Sequence, residues 1–151
     1  MTENGVDILL VEDNRYDEEL TLDTFRRNHL TNRIHVARDG VEALDFLFHT
    51  GPHAGRDSDD RLKVILLDLK LPKVDGLEVL RQVKADLRTR MIPVVALTSS
   101  REERDLVESY QRGINSYIVK PLDFAQFTEA VRQIGLYWTL LNEAPVRPPS
   151  R

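Results

Sequence analysis

Ile8-Leu9-Leu10-Val11-Glu12-Asp13-Asn14 (ILLVEDN, residues 8–14) sets an unbroken apolar run directly against two carboxylates. A short, continuously apolar run fits a strand buried on both faces, as strands of parallel sheets are. The acidic pair cannot follow that strand into the core, so it has to emerge at its carboxyl end. The same arrangement returns along the chain. Apolar runs over Asp7 to Val11, Arg33 to Ala37, Val64 to Leu67, Val94 to Leu97 and Ser116 to Val119 predict five strands. Amphipathic segments between them predict helices. The first and fourth are expected over Arg15 to Asn28 and Glu102 to Arg112, and Asp75-Gly76 opens the third. Val41, Leu44, Leu47 and Phe48 mark a core-facing stripe on the second helix, and Val79, Leu80, Val83 and Leu87 one on the third. Strand-helix-strand crossovers are right-handed in nearly all cases, so this alternation implies an α/β, doubly wound (βα)₅ fold with a parallel five-stranded sheet. Ligands of such sheets bind at the carboxyl ends of the strands.

Composition narrows the chemistry. With 151 residues and 41% hydrophobic content the chain can close one core. A formal net charge of −4 gives no positive field for nucleic acid or an anionic membrane. The absence of cysteine excludes disulfides, thiolate metal ligands and a cysteine nucleophile. No apolar run reaches the roughly 18 residues that span a bilayer, and the start of the chain is unlike a leader peptide, so a soluble, cytoplasmic protein is expected. The Gly-, Asp- and Pro-containing stretch over 50–61 reads as a mobile loop. Residues 142–151, with three prolines, read as an irregular tail behind a domain covering 1–141.

The strand ends carry the candidate site. Glu12 and Asp13 follow the first strand, Asp68 closes the third, Thr98-Ser99 follows the fourth and Lys120-Pro121 the fifth. The first and third strands are neighbours at the switch point of such a sheet, so three carboxylates should converge there. Like charges that close together need a proton or a cation, and hard oxygen ligands partly open to water suit Mg²⁺. Lys120, aimed into the same place, would help offset the carboxylates and let an anionic phosphoryl group approach. Taken singly, each residue has an ordinary structural explanation: Asp13 or Asn14 could cap the first helix, Thr98 a later turn, and Lys120 could serve solubility. Their joint placement at successive strand ends does not have one.

In combination, ILLVEDN (8–14), ILLDLKLPKVDG (65–76), VVALTSS (94–100) and YIVKP (117–121) resemble the receiver domains of two-component response regulators over essentially all of residues 6 to 141. The resemblance implies a flavodoxin-like receiver fold. Asp68 would be the phosphoacceptor and Asp13 a direct Mg²⁺ ligand, with Mn²⁺ as a substitute ion. Glu12 would act partly through metal-bound water, and the backbone carbonyl of Lys70 would complete the protein's share of the metal shell. Thr98 and Lys120 would contact the phosphoryl oxygens, and Tyr117 would be the aromatic switch residue on a face formed by the fourth helix, fifth strand and fifth helix. The donor would be a histidine kinase phosphohistidine. Leu71 and Lys70 depart from the commonest pattern, Lys70 leaving the phosphate lifetime open. His29, His35, His49 and His53 are expected on the surface or in loops, outside the site.

Phe124, Phe127, Val131, Ile134, Trp138 and Leu141 are spaced as a heptad seam. A last helix extended over 123–141, with Tyr137 beside the seam, therefore predicts a homodimer through Phe127, Val131, Ile134, Tyr137, Trp138 and Leu141, although Gly135 weakens its continuity. The extended helix, long loop and lack of an output domain resemble stand-alone regulators of phytochrome-type histidine kinases. Three rival readings are weaker. A flavodoxin-like cofactor binder would meet Glu-Asp-Asn-Arg where a phosphate loop is needed. A metal-dependent phosphatase would carry its Asp-x-Asp motif after the first strand. A phosphorelay shuttle or phosphate sink would share every residue of the switch.

Overall fold

In the computed structural model of the chain, residues 6–55, 62–71, 73–99 and 114–135 are described. Strands β1 (Ile8–Val11), β2 (Ile34–Ala37), β3 (Val64–Asp68), β4 (Val94–Thr98) and β5 (Ser116–Val119) form one parallel sheet in the order β2-β1-β3-β4-β5. Helices α1 (Arg15–Arg27), α2 (Gly40–Phe48), α3 (Gly76–Ala85) and α4 (Phe124–Gln133) accompany them, α4 being the fifth helix expected from the sequence. The helix expected over 102–112 and the tail over 142–151 lie outside the described residues. Among the described residues no helix is long and apolar enough to cross a membrane.

Strict alternation along the central strands builds two cores. Leu9, Val11, Ile65 and Leu67 point to one face and pack with Phe46 of α2 and Val79 and Val83 of α3. Ile8, Leu10, Leu66 and Leu97 point to the other and pack with Phe25 of α1 and Phe127 and Val131 of α4. The sheet is thus covered on both sides, which is why its strands read as unbroken apolar runs rather than alternating ones.

Each helix starts on a side-chain cap. Asn14, Asp39, Asp75 and Asp123 accept from the backbone N–H groups of Asp17, Glu42, Leu77 and Gln126. Because Asn14 performs this task for α1, the neighbouring carboxylate of Asp13 is released from it.

Three expectations need correction. Val41 is 42% exposed, whereas Leu47 is buried as expected, Leu44 and Phe48 pack against the core, and Ala43 and Phe46 complete the buried side of α2. Leu87 is 75% exposed, because α3 ends at Ala85 and the chain then turns. The continuous helix expected over 123–141 is interrupted. Its last turn closes with Ile134 N–H on the Ala130 carbonyl and Gly135 N–H on that of Arg132, and Gly135 takes φ +80, a left-handed geometry open to glycine without strain. The stretch expected to be a loop after α2 begins with a 3-10 turn, Gly51–His53, while 56–61 lie outside the described residues.

Two glycines allow loops to touch. A Cβ on Gly40 would come within 1.9 Å of the Val74 carbonyl oxygen, so only glycine lets α2 start against the loop after β3. A Cβ on Gly76 would stand 2.6 Å from both the Asp68 carbonyl oxygen and the Leu69 Cα. Backbone cannot yield as a flexible side chain can. Gly76→Ala should therefore cost about 2 kcal/mol or more of stability in chemical denaturation, well beyond a typical surface change.

Candidate functional site

The sheet register decides which side chains meet. Val11 lies opposite Leu67, Asp68 opposite Leu97, and Thr98 opposite Val119. The residues at or just beyond those positions, Glu12, Asp13, Asp68, Thr98 and Lys120, therefore gather at one edge. Backbone bonds extend the ladder past the strands: Glu12 N–H donates to the Ala37 carbonyl at 2.9 Å and Lys120 N–H to that of Thr98 at 2.7 Å. The directions of these side chains are set by the sheet.

Lys120 Nζ donates to Asp68 Oδ2 at 2.9 Å, to Glu12 at 3.1 Å and to Asp17 Oδ2 at 3.1 Å. Glu12 and Asp68 are almost wholly buried, at 1% and 4% exposure, while Asp13 is exposed. Glu12, Asp13 and Asp68 each offer a carboxylate oxygen, and the three oxygens lie within 4.8 Å of one another. Burial, then the charge and hydrogen bond of Asp68, raise the Glu12 carboxyl from an ordinary 4.5 to about 8 despite Lys120. Burial also disfavours the Lys120 ammonium, but its bonds and charge interactions with Asp68, Glu12 and Asp17 outweigh that and raise it. The edge thus keeps more negative charge than its single ammonium neutralises. A hard cation is the natural remedy, and the oxygen donors suit Mg²⁺ or Mn²⁺.

The other oxygen of Asp68 is also engaged. Oδ1 accepts from Lys70 N–H at 3.0 Å, a bond that shapes the turn after β3 and holds the Asp68 carboxylate in one orientation. Thr98 Oγ1 is buried and has no hydrogen-bond partner among the described residues. Such hydroxyls are uncommon because desolvation without a bond is costly, and an anion arriving at Asp68 would supply the missing acceptor. Tyr117 of β5 is half-buried and packs on the α2 and α3 side of the sheet.

One contributor escaped the sequence reading. Asp17 gives Lys120 its third carboxylate, and the available signal was its place in the first turn of α1, immediately above the strand ends. The expected dimer surface is partly overturned. Phe127 and Val131, at 1% and 0% exposure, are consumed by the chain's own core, and Ile134 packs beside them. The heptad spacing arises because one helical face covers a sheet, which selects the same periodicity as a coiled-coil seam. Tyr137, Trp138 and Leu141 lie outside the described residues. The histidines stand apart from the acidic edge, but His35 and His53 are not isolated surface groups, since they contact each other and Phe46.

Comparison with known proteins places this geometry. The response regulator receiver domain family model matches residues 8–132. The probable methanogenesis regulatory protein FilR2 of Methanothrix harundinacea is 46% identical over 139 residues, covering 91% of this chain and 86% of its own. The solved bacteriophytochrome response regulator AtBRR is 56% identical with a TM-score of 0.85, over 93% of this chain and 99% of that one. The Mn²⁺-bound form of response regulator Rcp1 is 34% identical with a TM-score of 0.69, over 93% and 99% of the two chains.

The raised Glu12 carboxyl has a stability consequence. Without metal, the folded chain holds this proton up to about 8 whereas an unfolded glutamate releases it near 4.5, so stability falls as pH rises through that window. Thermal unfolding in chelator should show the decline in wild type and a flatter profile in Glu12→Gln. Parallel profiles would show that Glu12 is not the titrating group.

Proposed function

Because this chain belongs to the response regulator receiver domain family, we propose that it is a phosphorylation-controlled switch in which Asp68 accepts a phosphoryl group from the phosphohistidine of a histidine kinase. The observation carrying this reading is the 2.9 Å contact of Lys120 Nζ with Asp68 Oδ2, beside the Thr98 hydroxyl, which has no hydrogen-bond partner among the described residues. A carboxylate fixed by Lys70 N–H on one oxygen, and faced by a cation on the other, is a positioned nucleophile.

In the transfer, an Asp68 oxygen forms a bond to phosphorus while the phosphorus–nitrogen bond of the donor breaks. The imidazole departs with the bonding electron pair. Glu12, Asp13, Asp68 and the backbone carbonyl of Lys70 would hold Mg²⁺, whose charge offsets the carboxylates and the incoming phosphoryl oxygens. Lys120 then exchanges its bond to Asp68 Oδ2 for one to a phosphoryl oxygen, and Thr98 donates to another. Little proton transfer is required, which suits a site built from carboxylates, a lysine and a hydroxyl. The chain is a signalling protein by family, and its own chemistry is limited to accepting and losing this group.

Thr98 links the event to the surface. Drawn toward the anion, its side chain leaves space beside β5 that Tyr117 enters, altering the face formed by β5 and α4. Only an interaction made in one state can shift such an equilibrium, and the Thr98 bond to phosphate is one. The similarity to the bacteriophytochrome response regulator AtBRR supports a phytochrome-type photoreceptor kinase as the donor, and the transfer is proposed to take place in the cytoplasm. A homodimer is proposed through the apolar residues beyond Ile134, namely Tyr137, Trp138 and Leu141, rather than through the seam buried in α4.

Intact-mass measurement after incubation with Mg²⁺ and acetyl phosphate should show one added phosphoryl group on wild type and none on Asp68→Asn. An unmodified wild type, or a modified variant, overturns the assignment of Asp68. Sedimentation velocity up to about tens of micromolar should show a monomer–dimer shift that Trp138→Ala reduces, and a monomer throughout removes the dimer.

A further inference from the structure

Away from the acidic edge, His35 of β2, Glu42 of α2 and His53 of the 3-10 turn each offer one ligand atom, and the three atoms lie within 4.8 Å of one another. We propose that these residues form a second metal site, selective for zinc.

The spacing of the three ligand atoms is close to that of a metal's coordination shell. His35 Nε2 stands 4.0 Å from Glu42 Oε2, longer than a hydrogen bond. Neighbouring ligand atoms around tetrahedral zinc, with bonds of about 2.1 Å, are about 3.4 Å apart. Small side-chain rotations bridge that difference.

Each ligand is also held by contacts outside the trio. The His35 ring stacks on Phe46 at 4.2 Å with a 10° interplanar angle, and its backbone is paired with Leu9 in the sheet. Glu42 Oε1 accepts from Arg38 N–H at 2.9 Å, so the carboxylate turns its other oxygen to His35. His53 sits edge-on to both rings, 5.3 Å from His35 and 5.2 Å from Phe46. Its turn is fastened to the end of α2 by Asp45, which accepts from the Thr50 hydroxyl at 2.7 Å and, through its carbonyl, from Thr50 N–H at 2.9 Å. Aromatic packing accounts for two imidazoles on Phe46. It does not account for a carboxylate oriented by its helix cap so that one oxygen faces those rings.

The ligand chemistry selects the ion. Two imidazole nitrogens and one carboxylate oxygen form a set that zinc favours, whereas Mg²⁺ and Ca²⁺ take oxygen ligands. All three residues are half-buried, which leaves a fourth position for water. The two sites would therefore sort metals, the acidic edge taking a hard cation and the histidine cluster zinc. Bound zinc would tie edge strand β2, α2 and the following turn together, so it should stabilise the fold whether or not Asp68 is phosphorylated.

The test is calorimetric titration of zinc chloride into the full chain without a histidine tag, with excess Mg²⁺ occupying the acidic edge. Wild type and Asp13→Asn should each bind one zinc and unfold at a higher temperature with it. His53→Gln, on a surface turn, should bind at least about tenfold more weakly and lose the thermal shift. Glu42→Gln should be weakened too while its side-chain oxygen can still accept from Arg38. Zinc uptake that is absent in wild type, that persists in His53→Gln, or that disappears in Asp13→Asn overturns the proposal.

Discussion

A single ammonium among buried carboxylates governs this molecule's functional edge. Glu12 and Asp68 are withdrawn from water at the ends of adjacent strands, where their mutual repulsion is poorly screened. Lys120 reaches both of them and Asp17. Its three bonds make the arrangement tolerable without making it neutral. Burial, and then the charge and hydrogen bond of Asp68, hold a proton on Glu12 far above the ordinary carboxylate range. The remaining negative charge makes the edge receptive to a divalent cation, and with one in place an incoming phosphoryl group would no longer be repelled.

The rest of the edge is organised around that tension. The capping of four helices by Asn14, Asp39, Asp75 and Asp123 uses short polar side chains for backbone satisfaction and leaves Asp13 and Asp68 out of the helix caps. Gly76 brings the start of α3 against the backbone of Asp68 and Leu69, so the loop carrying the candidate nucleophile has little room to move. Thr98 keeps a buried hydroxyl without a partner among the described residues, a local cost that an arriving anion would relieve. Features that lower the stability of the resting fold are thereby concentrated where binding would repay them.

The histidine cluster obeys a different logic. There the groups are half-buried, the scaffold is an aromatic ring, and the geometry comes from stacking and a backbone hydrogen bond to Glu42 rather than from a buried lysine. Nitrogen donors at one place and oxygen donors at another would let a single small domain distinguish two kinds of metal ion.

The sequence alone determined the sheet and the meeting of its polar strand ends, because continuous apolar runs can be buried only as inner strands and the polar residues ending them must then share an edge. Glu12, Asp13, Asp68, Thr98 and Lys120 were legible for that reason. Periodicity cannot tell a helix covering its own sheet from one offering a seam to a partner, and only their burial places Phe127 and Val131 in the chain's own core. Composition within a helix also could not give its rotation, which is why Val41 faces out and Ala43 faces in. Asp17 at Lys120, the partnerless Thr98 hydroxyl and the meeting of His35, Glu42 and His53 were decided by tertiary structure only. Each depends on side-chain directions set by how elements distant in sequence pack, and no local pattern encodes those angles.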